Sequence, residues 1–193
     1  MPLSLVTPPT EEPVTLADAC AHLRVGVGDD DATVSALVTA ARQHLDGADG
    51  ILGRAICTQT WRLTLDALPR AGVRLPLLPV ASVASIEYVD SDGVTHPLAA
   101  DQYTLTGSRI VPAYGVTWPT PRAQADAVTV EFVAGYGGAA DVPGPIRQAI
   151  LLLVGHWYDN RSAVNVSSTG TSVVEVPLAV NALVAPYRNI TFG

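Results

Sequence analysis

The hydrophobic period of this chain changes twice, and those changes restrict it to folds that mix helices with an antiparallel β unit. Val34, Leu37, Val38, Ala41 and Leu45 recur at helical spacing and form one apolar stripe. From Ala55 the pattern alternates instead. Gln59, Trp61, Leu63 and Leu65 fall on one face and Thr58, Thr60, Arg62, Thr64 and Asp66 on the other, as in a half-buried strand. After Pro143-Gly144-Pro145 the helical period returns, with Ile146, Ala149, Ile150, Leu153 and Trp157 on one face. Leu151, Leu152 and Val154 spread apolar character around its sides. A helix apolar nearly all round is central in its fold or packed against neighbouring subunits.

The remaining elements fall around these three. Residues 1–14 carry Pro2, Pro8, Pro9 and Pro13 and read as an extended arm without self-supporting structure. Thr15-Leu16-Ala17-Asp18 fits a capping box with Asp in place of Glu, opening a short helix to about Arg24 that Gly26 and Gly28 end. Asp29, Asp30 and Asp31 favour the N-terminus of the next helix, and Gly53 is placed to close it. Further strands are expected at Val73–Leu77, Val83–Val89, Gln102–Thr106, Arg109–Pro112 and Ala127–Tyr136, with a hairpin turn at Asp90–Gly93. Ser162–Thr171 reads as a mobile loop. The chain closes with a short helix from Pro177 that carries Val180, Leu183, Val184 and Tyr187 on one face. At this length it is marginal alone and must dock on something. The divisions are therefore 1–14 (arm), 15–54 (helical), 55–136 (β unit), 137–161 (central helix) and 162–193 (loop and closing helix).

Charge and motif content remove most functional classes. Eleven basic against eighteen acidic residues give a net charge of -7, which argues against coating nucleic acid. All eleven cations are Arg, so a lysine nucleophile is excluded; coding bias is the simpler account of the missing Lys. Cys20 and Cys57 form no CxxC pair and read as small core residues. His22, His44, His96 and His156 supply no HExxH, and no GxSxG, P-loop or dinucleotide fingerprint is present. Asp90-x-Asp92 lacks the mid-loop glycine of a calcium loop. No metal, cofactor or catalytic residue is expected. The longest apolar run, Ala149–Val154, is far short of a membrane span, and nothing at the N-terminus reads as a signal peptide, so a soluble intracellular protein is expected.

An ordered set of short motifs remains. Leu5-Val6-Thr7-Pro8-Pro9 is followed by Glu12-Pro13-Val14-Thr15-Leu16-Ala17-Asp18-Ala19 and His22-Leu23-Arg24-Val25. Cys57-Thr58-Gln59-Thr60-Trp61, Leu77-Leu78-Pro79-Val80 and Pro143-Gly144-Pro145-Ile146-Arg147-Gln148-Ala149-Ile150 come next. His156-Trp157-Tyr158-Asp159-Asn160-Arg161 and Leu183-Val184-Ala185-Pro186-Tyr187-Arg188 complete the set. In this order the chain resembles the head–tail connector, or adaptor, proteins of tailed phages and phage-derived gene transfer agents.

The resemblance implies a non-enzymatic α+β subunit: a helical bundle with an inserted antiparallel β unit and a C-terminal docking helix. It implies a ring of twelve copies between the portal and the stopper or tail, made in the bacterial cytoplasm and assembled into the particle. DNA would pass through the channel without sequence-specific binding, and no membrane is involved. Carried onto this chain, Val180, Leu183, Val184, Tyr187 and Arg188 would bind the portal. Ile146, Ile150, Leu153 and Trp157, on the apolar central helix, are expected to pack the ring. Two rivals stand beside this reading: a stopper or tail-completion protein, and a small enzyme assembled from distant residues such as Asp66, His96 and Asp141.

Overall fold

Alternation in Gln59–Leu65 becomes the second strand of a five-stranded antiparallel sheet, with every second residue of it buried. The computed structural model describes residues 2–160, 164–167, 170–173 and 178–189. The chain folds as two compact units: Met1–Thr10 with Cys57–Tyr136, and Glu11–Ile56 with Gly137–Gly193. Its class is mixed α+β.

The first unit is built on β1 (Leu3–Thr7), β2 (Gln59–Leu65), β4 (Val80–Val89), β5 (Thr95–Pro97) and β8 (Val128–Ala134), in the order β1-β2-β8-β4-β5. A smaller sheet has the order β3-β7-β6, from Val73–Arg74, Arg109–Pro112 and Tyr103–Thr106. In-line triplets make the large sheet's core: Leu63, Val130 and Ile86 are register partners across β2, β8 and β4, and so are Trp61, Phe132 and Val83. Phe132 and Val130 are fully buried there. Such cross-strand pairs stabilise a sheet much as i,i+4 pairs do a helix.

Two expectations change here. Part of the N-terminal arm has a partner, since Leu3–Thr7 pairs antiparallel with β2. The prolines flank that stretch and leave its N–H groups available, which composition read over the whole arm hides. The strand expected at Val73–Leu77 shortens to Val73–Arg74. Asp90–Gly93 forms the expected turn between β4 and β5, with the Asp90 carboxylate accepting the N–H groups of Asp92 and Val94, both at 2.9 Å.

The second unit contains α1 (Leu16–Leu23), α2 (Asp31–Leu45), α3 (Gly144–Asp159) and α4 (Leu178–Val184) among its described residues. Thr15 caps α1 as its motif predicts, its hydroxyl accepting the Asp18 N–H at 3.1 Å and donating to the Asp18 carboxylate at 2.7 Å. Arg24, in the left-handed conformation, closes this helix in place of Gly26. Helix α2 ends at Leu45 rather than near Gly53, because the buried Asp46 carboxylate takes over by accepting the Ile56 N–H at 2.7 Å. Val34, Val38, Ala41 and Leu45 are buried, and Leu37, at the edge of the stripe, is half-buried. Cys20 and Cys57 are both buried, and neither is in a disulfide.

Of the stretch 162–171, read as a mobile loop, residues 164–167 and 170–171 lie in an antiparallel pair, β9 (Val164–Ser167) with β10 (Gly170–Val173). Valine and threonine favour extended backbone, which the Ser/Gly content of this stretch masks. Pro177 lies outside the described residues.

Candidate assembly surfaces

Helix α3 is the core of the second unit and packs against α1, α2 and α4. Ile146, Ala149, Ile150, Leu153 and Val154 are completely buried in it. Of the four residues expected to pack a ring, Ile146, Ile150 and Leu153 are thus enclosed by their own unit. A side chain with no exposed area has none to give to a neighbour. Trp157 is half-buried, its ring edge-on to His44 at 5.8 Å, and Leu151 and Leu152 are also half-buried.

The closing helix finds a dock in its own unit. Val180 and Val184 are fully buried. Burying two valines contributes roughly 3–6 kcal/mol before ordering costs. The turn that follows, Ala185–Tyr187, is held by Arg54, whose guanidinium donates to the Tyr187 carbonyl. Asn189 then donates its backbone N–H to Leu52 at 2.8 Å and its side-chain amide to Gly53 at 3.3 Å. Of the five residues expected to bind a portal, Val180 and Val184 thus anchor the helix, and Leu183 and Tyr187 are half-buried. Arg188 is exposed and donates to Asn181 at 3.0 Å. Leu178, at the head of α4, is 86% exposed, the more prominent of that helix's apolar surface residues. Only the turn that brings Val180 inward distinguishes Leu178 from the rest, and the sequence period alone does not fix that angle.

An ion-pair chain that sequence reading missed ties the helices to the segment before them. Arg42 donates to Glu12 at 2.8 Å and to Asp46 at 3.0 Å, while Thr39 donates to Glu12 at 3.0 Å. Burial pulls the Arg42 pKa down, but the hydrogen bonds and charges of Glu12 and Asp46 outweigh it and hold the guanidinium more firmly protonated. The Arg42/Asp46 half was visible as an i,i+4 pair. Glu12 was not, because its distance along the chain carries no signal.

The residues of the enzymatic rival each hold a turn. Asp66 accepts the Asp126 N–H at 2.9 Å, and His96 pairs with Asp90 at 2.6 Å. Asp141, in the other unit, accepts the Gly138 N–H at 3.0 Å. A cleft of about 640 Å³ in the β unit lies among Leu68, Arg70, Trp118, Pro119, Pro121 and Arg122. Its indole N–H is taken by the Pro69 carbonyl at 3.0 Å, and Asp66 is the carboxylate in its lining, while His96 and Asp141 do not line it. Asp31, within the acidic run at 29–31, accepts the Gly28 N–H at 2.8 Å. Among the described residues no cluster of three or more His, Cys, Asp or Glu could hold a metal, and no helix is long and apolar enough to cross a membrane.

Comparison with known proteins decides the family. The sequence pattern of the head completion proteins matches residues 14–190. The chain belongs to the head completion protein family. That family is structural and non-enzymatic. Among solved structures, this head completion protein is similar over its whole length to three chains, each covered to 97%. One comes from the neck of an empty gene transfer agent particle computed with C6 symmetry (28% identity, TM-score 0.75). Another is from the virion of a native gene transfer agent particle (26%, 0.71), and a third from the neck of a native particle computed with C12 symmetry (26%, 0.70). Among curated proteins none matches.

Proposed function

We propose that this head completion protein is a subunit of the adaptor ring in the neck of a gene transfer agent-type particle, joining the portal to the stopper and tail. The observation that carries this reading is full-length similarity to neck chains, one of them from a neck computed with C12 symmetry. That symmetry supports a ring of twelve copies for this reading. Its work is assembly: each copy contributes a modest contact, and a closed ring engages many together, which raises avidity without new chemistry. The net charge of -7 suits a conduit, because acidic walls repel phosphates and let DNA pass.

The closing helix is the portal contact in this reading. Val180 and Val184 hold it to the second unit, so the contact falls to Leu178, Leu183, Tyr187 and Arg188. Neighbouring copies meet along α3 through Trp157 and the half-buried Leu151 and Leu152, with Ile146, Ile150 and Leu153 as the rigid core behind them.

Co-sedimentation with portal rings from the same gene cluster tests the proposal. The intact chain is expected to pellet with the rings. The double variant Leu178→Glu/Arg188→Glu, altered only at exposed positions, is expected to stay folded and bind about tenfold or more weakly. Equal binding by that variant removes α4 as the contact. No binding by the intact chain refutes the adaptor reading and points to the tail side of the neck.

A further inference from the structure

We propose that the open edge of β1 pairs with the open first half of β4 in a second copy of this chain, linking five-stranded sheets head to tail around the ring. The inference rests on the ring reading above, and both edges belong to the first unit.

Strand lengths define the notch. Strand β4 has ten residues, Val80–Val89, but β5 pairs only with Glu87–Val89. The Leu98 N–H bonds to the Ile86 carbonyl at 2.8 Å and extends that cover by one residue. Val80–Ser85 therefore has no backbone partner on this side among the described residues. At the opposite margin β1 pairs with β2 alone. Its five residues match the six left open on β4.

Direction and composition agree with that match. All neighbouring strands of the sheet are antiparallel, so β1 and β4 run in opposite directions. Shifting one sheet sideways by its own width sets β1 of one copy antiparallel to β4 of the next, the more stable ladder. Because the two edges differ, the contact is heterologous, and a heterologous contact generates a ring when its rotation closes. Charge and proline are two of the usual guards of an exposed edge, beside bulges. Leu3-Ser4-Leu5-Val6-Thr7 and Val80-Ala81-Ser82-Val83-Ala84-Ser85 contain neither. Leu5 and Val6 are 45% and 41% exposed, and the alanines and serines of β4 leave room for them. Register shifts in both strands supply the bend that a sheet carried around a closed ring needs.

Backbone polarity picks the test. The Thr64 N–H bonds to the Pro2 carbonyl, so alternation turns the N–H and C=O of Leu3 and Leu5 away from β2. Leu5→Pro removes an outward donor and no bond of the chain's own ladder. Ser82→Lys places a charge in the notch. Both variants are expected to keep the wild-type circular dichroism and to lower ring yield, free or on portal rings, about tenfold or more. In rings of the Leu5→Cys/Val83→Cys protein a short bis-maleimide is expected to give a ladder of covalent multimers. The buried Cys20 and Cys57 stay silent, as the Leu5→Cys single variant would verify. Unchanged ring yield in both folded variants, or only monomers after cross-linking portal-bound protein, overturns the edge contact and leaves the adaptor reading standing. A wild-type chain that neither assembles nor binds portals overturns both.

Discussion

The backbone N–H of Asn189 donates to the carbonyl of Leu52 at 2.8 Å, closing the C-terminal segment onto the loop after α2. The segment expected to reach a partner is thus also a structural part of its own unit, with Val180 and Val184 buried on the way. Truncation before α4 is expected to cost roughly 3–6 kcal/mol from the two valines alone, read as a lowered urea midpoint. Asn189→Ala keeps the backbone bond and loses the amide to Gly53, so it should cost about 1 kcal/mol or more. A truncated chain as stable as the intact one would mean that α4 is not held by its unit.

Asp46 is the other fastening of that loop. Its carboxylate is buried, accepts the Ile56 N–H and pairs with Arg42. Asp46→Ala leaves a buried N–H and a mostly buried guanidinium short of a partner, which costs about 3–5 kcal/mol by comparison with other broken buried pairs. The Arg42→Met/Asp46→Ala double variant should lose less than the sum of the two single changes. Additive losses in denaturant unfolding would show that the two residues are not energetically coupled.

What could be read beforehand followed local physics. The Thr15 cap, the alternation in Gln59–Leu65, the Asp90 turn and the Val34–Leu45 stripe depend on neighbours within a turn or a strand, and each stands as its residues suggest. The partner of β1 was not legible, because Leu3–Thr7 meets Arg62 and Trp61 far along the chain and its flanking prolines dominate local composition. Nor could the sequence say that Ile146, Ile150 and Leu153 would be spent inside one copy. An apolar face looks the same whether its own fold or a neighbour covers it. The inward faces of α4 were recognised as apolar, whereas the exposed head at Leu178 depended on a rotation that only tertiary packing sets.

Gly135 makes the end of β8 depend on a missing side chain. Its φ is +127°, and a Cβ placed there would lie 2.4 Å from the Cys57 carbonyl oxygen. The obstacle is backbone, so no side-chain rotation relieves it. Gly135→Ala is expected to combine conformational strain with overpacking and to lose about 3 kcal/mol or more. Gly28 also has a strongly positive φ, +106°, but open space around it, so Gly28→Ala should show the conformational part alone. Equal losses at both positions would remove the steric account.

The β4–β5 hairpin should weaken in acid, and the sign follows from Asp90. Its carboxyl pKa is held below the usual value, first by the Val94 N–H, then by His96, with the Asp92 N–H adding to both. A depressed carboxylate pKa means that the ionised form stabilises the fold above the unfolded value, near 3.9, and that this contribution fades as pH falls through the folded value. Wild-type protein should therefore be more stable than Asp90→Asn near pH 6, and the gap should narrow once the pH drops below about 4. Thermal unfolding of both proteins at pH 6 and pH 3 measures it. A gap of the same size at the two pH values would mean that the shape of the Asp90 side chain, and not its charge, holds the turn.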